Sequence, residues 1–544
     1  MVQDDKFMNK SSTTVLIILD GWGMADPRQK GNAITPKTAP HFFEYWKKYP
    51  HTLLEASGAA VGLPKGQEGN SEAGHLNIGA GRVVKQDVVY IARAIKDGTF
   101  FKNGALLEAI AHVKKNKSKA HVMGLLSNHN SAHSCPEHLD ALLDLLHEHG
   151  IKEVYLHLFT DGRDSGQHDT PHHLKKLQQH FHGTEKIASI MGRLYGMDRN
   201  KNWQRTEKAY NALVAGKGKT AASAVEAVTM GYNSGESDEF ISPTVIMRKG
   251  KPVATIENKD AVFFFNLRSD RARQIAKAFV QPKFERENSG AFKRKKILKQ
   301  LAFAAMTDFG PDLPGLLTAF PSRDVTNSLV QVLCSPPSAI ARGALSAVER
   351  RRQLYLAESE KFAHITYFFN GGYQEHLDGE RWVKIASDRV KDFEFDPNME
   401  ANKIASYAVK AIESGEYEFI AINFANADMV GHTGNLVAAE KAITFLDKQI
   451  DKVIRAVIKT GGQCILTADH GNAEEMLNTK TGEIDTEHSV NPVPFIAIAS
   501  AADFKTGKLT HKELRKGKLA NVAPTILKMM GIKKPAEMSG KSLL

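Results

Sequence analysis

Cysteine is scarce in this sequence, which contains only three in 544 residues. Cys135, Cys334 and Cys464 lie far apart and form no CxxC pair, so the sequence predicts neither a disulfide framework nor a zinc ribbon. Disulfides are typical of proteins in oxidising compartments, so the lack of a disulfide pattern favours the reducing cytoplasm as the location of this protein.

Long apolar runs are also lacking. The longest runs, such as 15–19 and 261–265, are far shorter than the roughly 20 residues that a membrane-spanning helix needs. The first six residues are polar and of mixed charge, without the apolar core of a signal peptide. We therefore expect a soluble protein that has no membrane partner.

The composition is that of a globular protein with an excess of positive charge. Hydrophobic residues make up 42% of the chain and charged residues 24%, and the length indicates at least two domains. The formal net charge of +11 suits an anionic substrate and would also permit nucleic-acid binding. The basic runs 293–296 and 350–352 lack interleaved aromatic residues, so we interpret them as solvated helix faces and expect no nucleic-acid partner.

One serine, Ser71, lies in a glycine-bounded stretch that runs from Gly69 to Arg82. The segment from Glu72 to Leu76 predicts the first turn of a short helix. A helix N-terminus stabilises an alkoxide or a phosphate through its unpaired N–H groups and its dipole, so Ser71 is a candidate nucleophile. The simpler interpretation is that Ser71 only caps the helix.

Three predicted strands each lead to a carboxylate. The acids are Asp20, Asp428 and Asp469, which follow the apolar runs 15–19, 419–424 and 464–467. The histidines that accompany them are His432, His470 and His488. Ligands of open α/β sheets bind at the carboxyl ends of the strands. This mixed oxygen and nitrogen set therefore predicts a two-metal site for zinc or manganese, which would activate the Ser71 hydroxyl for phosphoryl transfer.

The middle of the chain, from about residue 86, again alternates predicted helices and strands and forms a second α/β unit. Arginines follow its strands or lie in the loops after them. They are Arg163, Arg193, Arg199, Arg268 and Arg271. Because guanidinium groups suit forked binding of carboxylate and phosphate, this group predicts an anion pocket, and surface placement of each arginine is the alternative.

A change of composition marks the return to the first domain. Residues 327–346 are rich in Ser, Pro, Gly and Ala and are interpreted as a hinge or linker. Beyond this segment, Lys361 precedes an apolar run at 364–369 that predicts a strand. Residues 441–459 predict an amphipathic helix.

Several motifs of this sequence occur together in one family. In the outer parts of the chain they are Asp20-Gly-Trp-Gly, Asn70-Ser71-Glu72-Ala-Gly74-His75, Asp428-Met-Val-Gly-His432, Thr467-Ala-Asp469-His470 and His488-Ser-Val-Asn-Pro-Val-Pro. In the middle they are Asp161-Gly-Arg-Asp164, Met191-Gly-Arg193, Met197-Asp-Arg199 and Arg268-x-x-Arg271-Ala-Arg. Together they resemble the cofactor-independent phosphoglycerate mutases, which belong to the alkaline-phosphatase-like metalloenzymes.

The resemblance runs essentially from end to end and implies an α/β architecture. A doubly wound, alkaline-phosphatase-like sheet domain that binds metal would comprise 1–85 and 332–544. A second α/β domain that binds glycerate would be inserted after the nucleophile segment, at 86–331. The hinges would lie near 82–88 and 327–346.

The resemblance also implies roles for single residues. One manganese ion would be bound by Asp20, Ser71, Asp469 and His470, and the other by Asp428, His432 and His488. Ser71 would be the phosphoserine nucleophile, and Lys361 would contact the phosphate. The glycerate would be held by His133, Arg163, Asp164, Arg193, Arg199, Arg268 and Arg271. Among these, Asp164 would be the candidate proton acceptor, and Arg268 is also counted as catalytic.

The implied reaction interconverts 3-phosphoglycerate and 2-phosphoglycerate in glycolysis and gluconeogenesis, without a bisphosphoglycerate cofactor. Ser71 would take the phosphoryl group, the glycerate would turn without leaving, and its 2-hydroxyl would recapture the group. Retention of glycerate requires closure of the inserted domain to exclude water. We expect a monomer, because the two domains must move freely.

Two stretches depart from the family pattern. The loop 127–134 is one residue longer and lacks the family's glycines, so His133 is preferred to His129 from the serine that follows it. The segment 334–352 is longer than usual, and nothing in the sequence explains its role. The alternative functions are a phosphomonoesterase, sulfatase or phosphopentomutase with the same metal site, and a nucleic-acid-binding protein.

Overall fold

The structure is a computed structural model that describes residues 13–129, 131–322, 325–334, 351–373, 375–388, 392–499 and 514–544. The chain forms two compact units. The first comprises Met1–Gln86 with Asp324–Leu544, and the second is Asp87–Arg323. The second unit is therefore an insertion in the sequence of the first.

The return to the first unit comes earlier in the chain than the boundary expected after residue 331. A helix at Leu329–Cys334 buries Leu329, Val330 and Leu333 in the apolar core of the first unit, which places this segment there. Most of the predicted hinge at 327–346, and most of the long segment 334–352, lies outside the described residues.

The strands are numbered in chain order. They are β1 (Thr14–Leu19), β2 (His51–Glu55), β3 (Ala120–Leu126), β4 (Val154–Thr160), β5 (Glu185–Gly192), β6 (Lys219–Ala221), β7 (Thr244–Arg248), β8 (Lys251–Pro252), β9 (Ala261–Phe264), β10 (Ala302–Thr307), β11 (Leu316–Phe320), β12 (Gln353–Glu358), β13 (Glu380–Ile385), β14 (Phe419–Phe424), β15 (Gln463–Thr467), β16 (Val493–Ile498) and β17 (Gly517–Lys518).

The α-helices are numbered in the same way. They are α1 (Pro40–Lys48), α2 (Ser71–Ala80), α3 (Asp87–Lys96), α4 (Gly104–Asn116), α5 (Pro136–Glu148), α6 (Thr170–Gln179), α7 (Arg193–Gly196), α8 (Trp203–Ala215), α9 (Ala224–Asn233), α10 (Ser269–Val280), α11 (Phe284–Glu287), α12 (Leu329–Cys334), α13 (Ala401–Ser414), α14 (Asn426–Gly431), α15 (Leu436–Lys459) and α16 (Val522–Met529). In the parts of the chain that the structure describes, no helix is both long and apolar enough to cross a bilayer.

The first unit is built on a sheet of order β13-β12-β14-β1-β15-β16-β2-β17. Strands β1, β12, β13, β14 and β15 are parallel, whereas β16 is antiparallel to both of its neighbours. Every residue of β1 is buried, as expected of a central strand covered on both faces. The register pairs Leu19 with Phe424 and Ile18 with Thr467. The prediction that β1, β14 and β15 end at one sheet edge is therefore confirmed.

The prediction of a strand at 364–369 is wrong. Residues His364–Phe368 form a π-helical turn, in which Ile365 and Thr366 are buried. A short apolar run is compatible with either a strand or a helical turn, so tertiary packing decides between them. Here α2 comes so close that a Cβ on Gly79 would lie 1.9 Å from the carbonyl oxygen of Phe369.

The second unit has its own sheet, of order β11-β10-β9-β3-β4-β5-β7-β6, with β8 paired to β7. Strands β3, β4, β5, β9, β10 and β11 are parallel, and β7 runs antiparallel to β5. This arrangement confirms the second α/β unit that the alternating elements predicted.

A chain of polar side chains crosses the buried part of this second sheet. The Nε2 atom of His121 lies 3.1 Å from Asp260 Oδ2, and its Nδ1 atom lies 2.9 Å from His157 Nε2. The Nδ1 atom of His157 in turn lies 2.8 Å from Ser189 Oγ. Burial lowers the pKa of His121, against the opposing effect of Asp260, and lowers that of His157 well below its ordinary value. Both imidazoles are thus neutral in the folded unit.

This burial predicts an acid-sensitive second unit. The unfolded chain takes up a proton at each histidine below about pH 6.5, whereas the folded unit does not, so stability present above that pH is lost as the pH falls. We expect a cost of about 1.4 kcal/mol per pH unit for His157, whose pKa is lowered well below its ordinary value, and a smaller cost for His121, where Asp260 opposes the effect of burial. In thermal unfolding at several pH values, the stability of His157→Gln should fall less steeply with decreasing pH than that of the wild type. The exposed control His172→Gln should match the wild type, and equal slopes in all three proteins would contradict the prediction.

Candidate metal centre and anion site

The three predicted carboxylates meet at the common edge of the first sheet. Asp20 follows β1, Asp428 lies in α14 after β14, and Asp469 follows β15. Each is at most 2% exposed. The close approach depends on Gly21, whose φ is +73° and whose absent Cβ would lie 2.6 Å from the Cα atom of Asp428. These acids therefore concentrate negative charge in a small buried volume.

Ser71 faces this cluster from the first position of α2. Asn70 caps the helix, because its side chain accepts a hydrogen bond from the N–H of Ala73 at 2.9 Å. The interpretation of Ser71 as a simple cap is therefore wrong. Its hydroxyl instead lies 3.1 Å from Asp20 Oδ1 and 2.9 Å from His470 Nε2, and it accepts a hydrogen bond from the ammonium group of Lys361 at 2.8 Å.

The clustered side chains form two groups that could each hold a metal ion. One contains Asp20, Asp469 and His470, and the other contains Asp428, His470 and His488. His432 borders the second group, with its Nε2 atom 3.3 Å from Asp428 Oδ1 and 3.1 Å from His488 Nε2. All six predicted acids and histidines are thus brought together, and their division between particular ions stays a prediction.

The orientation of the imidazoles suits metal binding. The Nδ1 atoms of His432, His470 and His488 lie 2.7, 3.2 and 2.8 Å from backbone carbonyl oxygens. A carbonyl oxygen only accepts, so each Nδ1 carries the proton, and a neutral ring then presents an unprotonated Nε2. This second-shell arrangement is common for metal-bound histidine. The Nε2 atoms of His432 and His488 lie 3.1 Å apart, and both lie close to Asp428. Two unprotonated nitrogens beside a carboxylate favour a cation at this place.

The charges of the cluster also fit a cation. Lys361 Nζ lies 2.6 Å from Asp20 Oδ1 and 2.5 Å from Asp428 Oδ2, so it links the two groups, but one ammonium cannot neutralise three carboxylates. Although burial opposes it, Asp469, Asp20 and Asp428 raise the pKa of His470 to about 10. Within the described residues the buried Oδ2 atom of Asp469 accepts no hydrogen bond, although His75 Nδ1 lies 3.1 Å away. The donor set therefore fits divalent metal ions.

Two buried residues to which our sequence analysis gave no role, His75 and Asn423, form hydrogen bonds that link Asp20 to the backbone of Ser71. His75 lies one turn after Ser71 on α2 and donates from Nδ1 to the Ser71 carbonyl oxygen at 2.8 Å. The Asn423 amide donates to His75 Nε2 at 3.0 Å and to Asp20 Oδ2 at 2.8 Å. The sequence held one signal that could have identified Asn423, which is the polar residue inside the otherwise apolar strand β14.

The arginine group lies in the second unit. Arg193 is buried and is the first residue of α7, directly after β5. Arg268 precedes α10, and Arg271 lies in the first turn of that helix. Burial, followed by the charges of Arg193, Arg199 and Arg163, lowers the pKa of Arg271 to about 10. The positive charge around Arg271 is therefore incompletely compensated, as expected of an anion-binding site.

Acidic partners hold several of these arginines in place. Arg193 is paired with Asp161 and, at 3.0 Å, with Asp164 Oδ2. Arg199 binds Asp270 at 2.6 Å, and Arg268 Nε lies 3.7 Å from the same residue. Arg163 is more than half exposed, and its Nη1 atom lies 3.8 Å from Glu239. Four of the five guanidinium groups thus have a carboxylate within 4 Å, and the buried Arg193 is paired with two.

The structure places His133, and not His129, within this group. His133 is buried, and burial together with Arg268 and Arg193 lowers its pKa to about 3, so it is neutral. His129 is 67% exposed and lies 3.3 Å from Glu137. This placement agrees with the preference for His133 taken from the serine that follows it, and the contact of His133 with substrate stays a prediction.

Asp164 is held in its ionised form. Burial would raise its pKa, but Arg193 and the hydrogen bond from Ser131 Oγ at 2.7 Å outweigh burial and lower it. An ionised carboxylate that is half-buried beside an anion site can accept a proton from a bound hydroxyl.

The fold and the metal cluster together define a class. It is an α/β protein in which a buried serine at a helix N-terminus lies beside two Asp/His groups that could each hold a metal ion.

Comparison with known proteins gives the family. Residues 91–311 match the family model described as "BPG-independent PGAM N-terminus". A 2,3-bisphosphoglycerate-independent phosphoglycerate mutase of Clostridium acetobutylicum is 43% identical over 97% of this chain and 98% of its own length. The corresponding mutase 1 of Methanosarcina acetivorans is 46% identical over 97% and 98%. A crystal structure of Leishmania mexicana phosphoglycerate mutase at low cobalt concentration is similar with a TM-score of 0.77, at 29% identity, covering 98% of this chain and 97% of that one.

The chain therefore belongs to the family of 2,3-bisphosphoglycerate-independent phosphoglycerate mutases. Membership makes it an enzyme of the isomerase class that acts on phosphoglycerate.

The connection through Asn423 predicts a measurable effect on metal binding. Asn423→Ala removes the hydrogen bonds to Asp20 and His75, so both lose orientation, and we expect roughly 10-fold weaker binding or more. The measurement is Mn²⁺ binding by titration calorimetry. Asn402→Ala, at an exposed position on α13, is the control and should bind as the wild type does. Unchanged affinity in Asn423→Ala would show that the ligands hold their positions without this residue.

Proposed function

We propose that this chain interconverts 3-phosphoglycerate and 2-phosphoglycerate through a phosphoserine on Ser71, with two manganese ions and no bisphosphoglycerate cofactor. The observation that carries the proposal is the position of the Ser71 hydroxyl. It lies within hydrogen-bond distance of Asp20, His470 and Lys361, at the first residue of a ten-residue helix.

These neighbours give Ser71 the surroundings that a nucleophile needs. Asp20 Oδ1 accepts the hydrogen bond of the hydroxyl and is placed to take its proton, and His470 Nε2 lies 2.9 Å from the same oxygen. The ammonium group of Lys361 stabilises charge on the oxygen and on a transferred phosphoryl group. The N-terminus of α2 adds its unpaired N–H groups and positive dipole end. Divalent ions bound by the two Asp/His groups would supply Lewis-acid stabilisation of the phosphoryl group and would lower the pKa of the serine hydroxyl.

We propose manganese because the ligand set mixes carboxylate with imidazole. An all-oxygen set would favour magnesium or calcium, whereas imidazole nitrogen favours the later metals. The cobalt in the Leishmania mexicana crystals belongs to that protein. It is consistent with a site that accepts several divalent metals.

The arginine group is proposed to hold the glycerate. Its substrate would carry both a carboxylate and a phosphate, and forked guanidinium groups bind both. Arg271 and its neighbours would supply this charge, and Arg268 would act with them. Ionised Asp164 would accept the proton when a substrate hydroxyl takes back the phosphoryl group.

Three further properties stay predictions from the sequence. They are a cytoplasmic location, a monomeric state and the absence of a nucleic-acid partner. The alternative activity is that of a phosphomonoesterase or phosphopentomutase, which would use the same metal groups. The arginine group favours the mutase, because a hydrolase that releases its alcohol has no need to retain a glycerate.

Replacing the nucleophile should abolish turnover. Ser71→Ala removes the oxygen that would carry the phosphoryl group, so mutase activity without added bisphosphoglycerate should fall roughly 10³-fold or more. Wild type incubated with phosphate-labelled 3-phosphoglycerate should retain label on the protein after acid quenching, and the variant should not. Ser414→Ala, at the exposed end of α13, should retain both activity and label. Substantial activity in Ser71→Ala would remove Ser71 from this role.

The product distribution separates the mutase from a hydrolase. With 3-phosphoglycerate as substrate, we expect 2-phosphoglycerate to exceed free phosphate by a wide margin, because a retained glycerate recaptures the group before water does. Both products can be followed by phosphorus NMR in one reaction. Free phosphate as the main product would overturn the mutase proposal and favour a phosphomonoesterase.

A further inference from the structure

The second unit carries a histidine and aspartate cluster that lies apart from its arginine group. Helix α5 buries leucines on one side, among them Leu139, Leu142 and Leu146. Its other side presents Asp140, Asp144 and His147, which follow one another at spacings of four and three residues. Side chains with these spacings lie on the same face of a helix.

A second element brings two more histidines to this face. His180 and His182 follow the end of α6 and flank Phe181. Phe181 is partly buried and packs against the apolar core of the unit. The side chains of His180 and His182 are 42% and 29% exposed, so both imidazoles reach the surface on either side of the inward Phe181. The His-x-His sequence thus presents two imidazoles at the surface.

The imidazoles converge on one carboxylate oxygen. His182 Nε2 lies 2.8 Å from Asp144 Oδ1, and His180 Nε2 lies 3.3 Å from the same atom. On the far side of the His180 ring, Nδ1 lies 3.9 Å from Asp140 Oδ2. The ring of His147 stacks on that of His182, with 4.2 Å between centroids, and restricts its rotation. Two nitrogens and one oxygen are therefore ordered around a common point.

We propose that Asp144, His180 and His182 form a binding site for a divalent transition-metal ion of the zinc class. Two imidazoles and one carboxylate are a ligand set that zinc accepts, and the three donor atoms lie within 4.8 Å of one another. Asp140 lies on the side of the His180 ring that carries the second nitrogen, at 3.9 Å, and adds a further negative charge beside the proposed site. The three side chains are 29–42% exposed, so an ion can enter from solvent and complete its coordination with water.

Such an ion would join two separate elements of the unit. Asp144 belongs to α5, whereas His180 and His182 belong to the segment after α6. A metal that binds only the folded arrangement stabilises it by mass action. The site therefore predicts that zinc raises the thermal midpoint of this unit, independently of the serine and metal centre of the first unit.

The test counts zinc ions on the full-length protein. Equilibrium dialysis against buffered Zn²⁺ should show one equivalent fewer for His182→Gln and for Asp144→Asn than for the wild type. The metal centre of the first unit is unchanged in these variants, so its contribution cancels. His172→Gln, an exposed histidine on α6, is the matched control and should bind as many equivalents as the wild type.

A second measurement separates a metal site from a hydrogen-bonded contact. Zn²⁺ should raise the thermal midpoint of the wild type and of His172→Gln more than that of His182→Gln. The proposal is overturned if His182→Gln and Asp144→Asn bind as much zinc as the wild type. It is also overturned if His182→Gln lowers the midpoint by the same amount with zinc and with a chelator, because the cluster would then be only a hydrogen-bonded contact.

Discussion

Burial of three carboxylates at one sheet edge is the constraint on which the first unit depends. Asp20, Asp428 and Asp469 are almost fully shielded from water, and charges in such a place must be paired or must bind metal. Lys361 pairs with Asp20 and Asp428. The histidines also turn their Nε2 atoms toward the carboxylates, as His488 does toward Asp428. The reactivity proposed for Ser71 follows from the same constraint, because its hydroxyl lies beside the groups that could hold metal ions.

The second unit has the opposite electrostatic character. Burial, and after it the charges of neighbouring arginines, lowers the pKa of Arg271, and carboxylates such as Asp161 and Asp270 pair with other members of the group. The carboxylate cluster of the first unit therefore attracts cations, and the arginine group of the second attracts anions. A phosphoglycerate reaction needs both, since phosphoryl transfer depends on cations around the phosphate and on a fixed hold on the acid group.

Long buried strands were predictable because hydrophobic periodicity and length rarely mislead in such segments. Strands β1, β14 and β15 appear where the sequence indicates, and α15 extends the predicted helix only at its N-terminal end. The short run at 364–369 was mispredicted, because five or six apolar residues fit a strand and a helical turn equally well. The contact of this segment with α2 favours the helical turn, and a contact between distant residues cannot be predicted from the local sequence.

The sequence by itself determined which chemistry the chain carries. Carboxylates after apolar runs and arginines after strands are local features, and parallel strands must bring their ends together. Only the tertiary structure decided that Asn70 rather than Ser71 caps α2, and that His75 and Asn423 support the ligands. These choices depend on contacts between residues far apart in the chain, whose distances and orientations exist only once both sheets are packed.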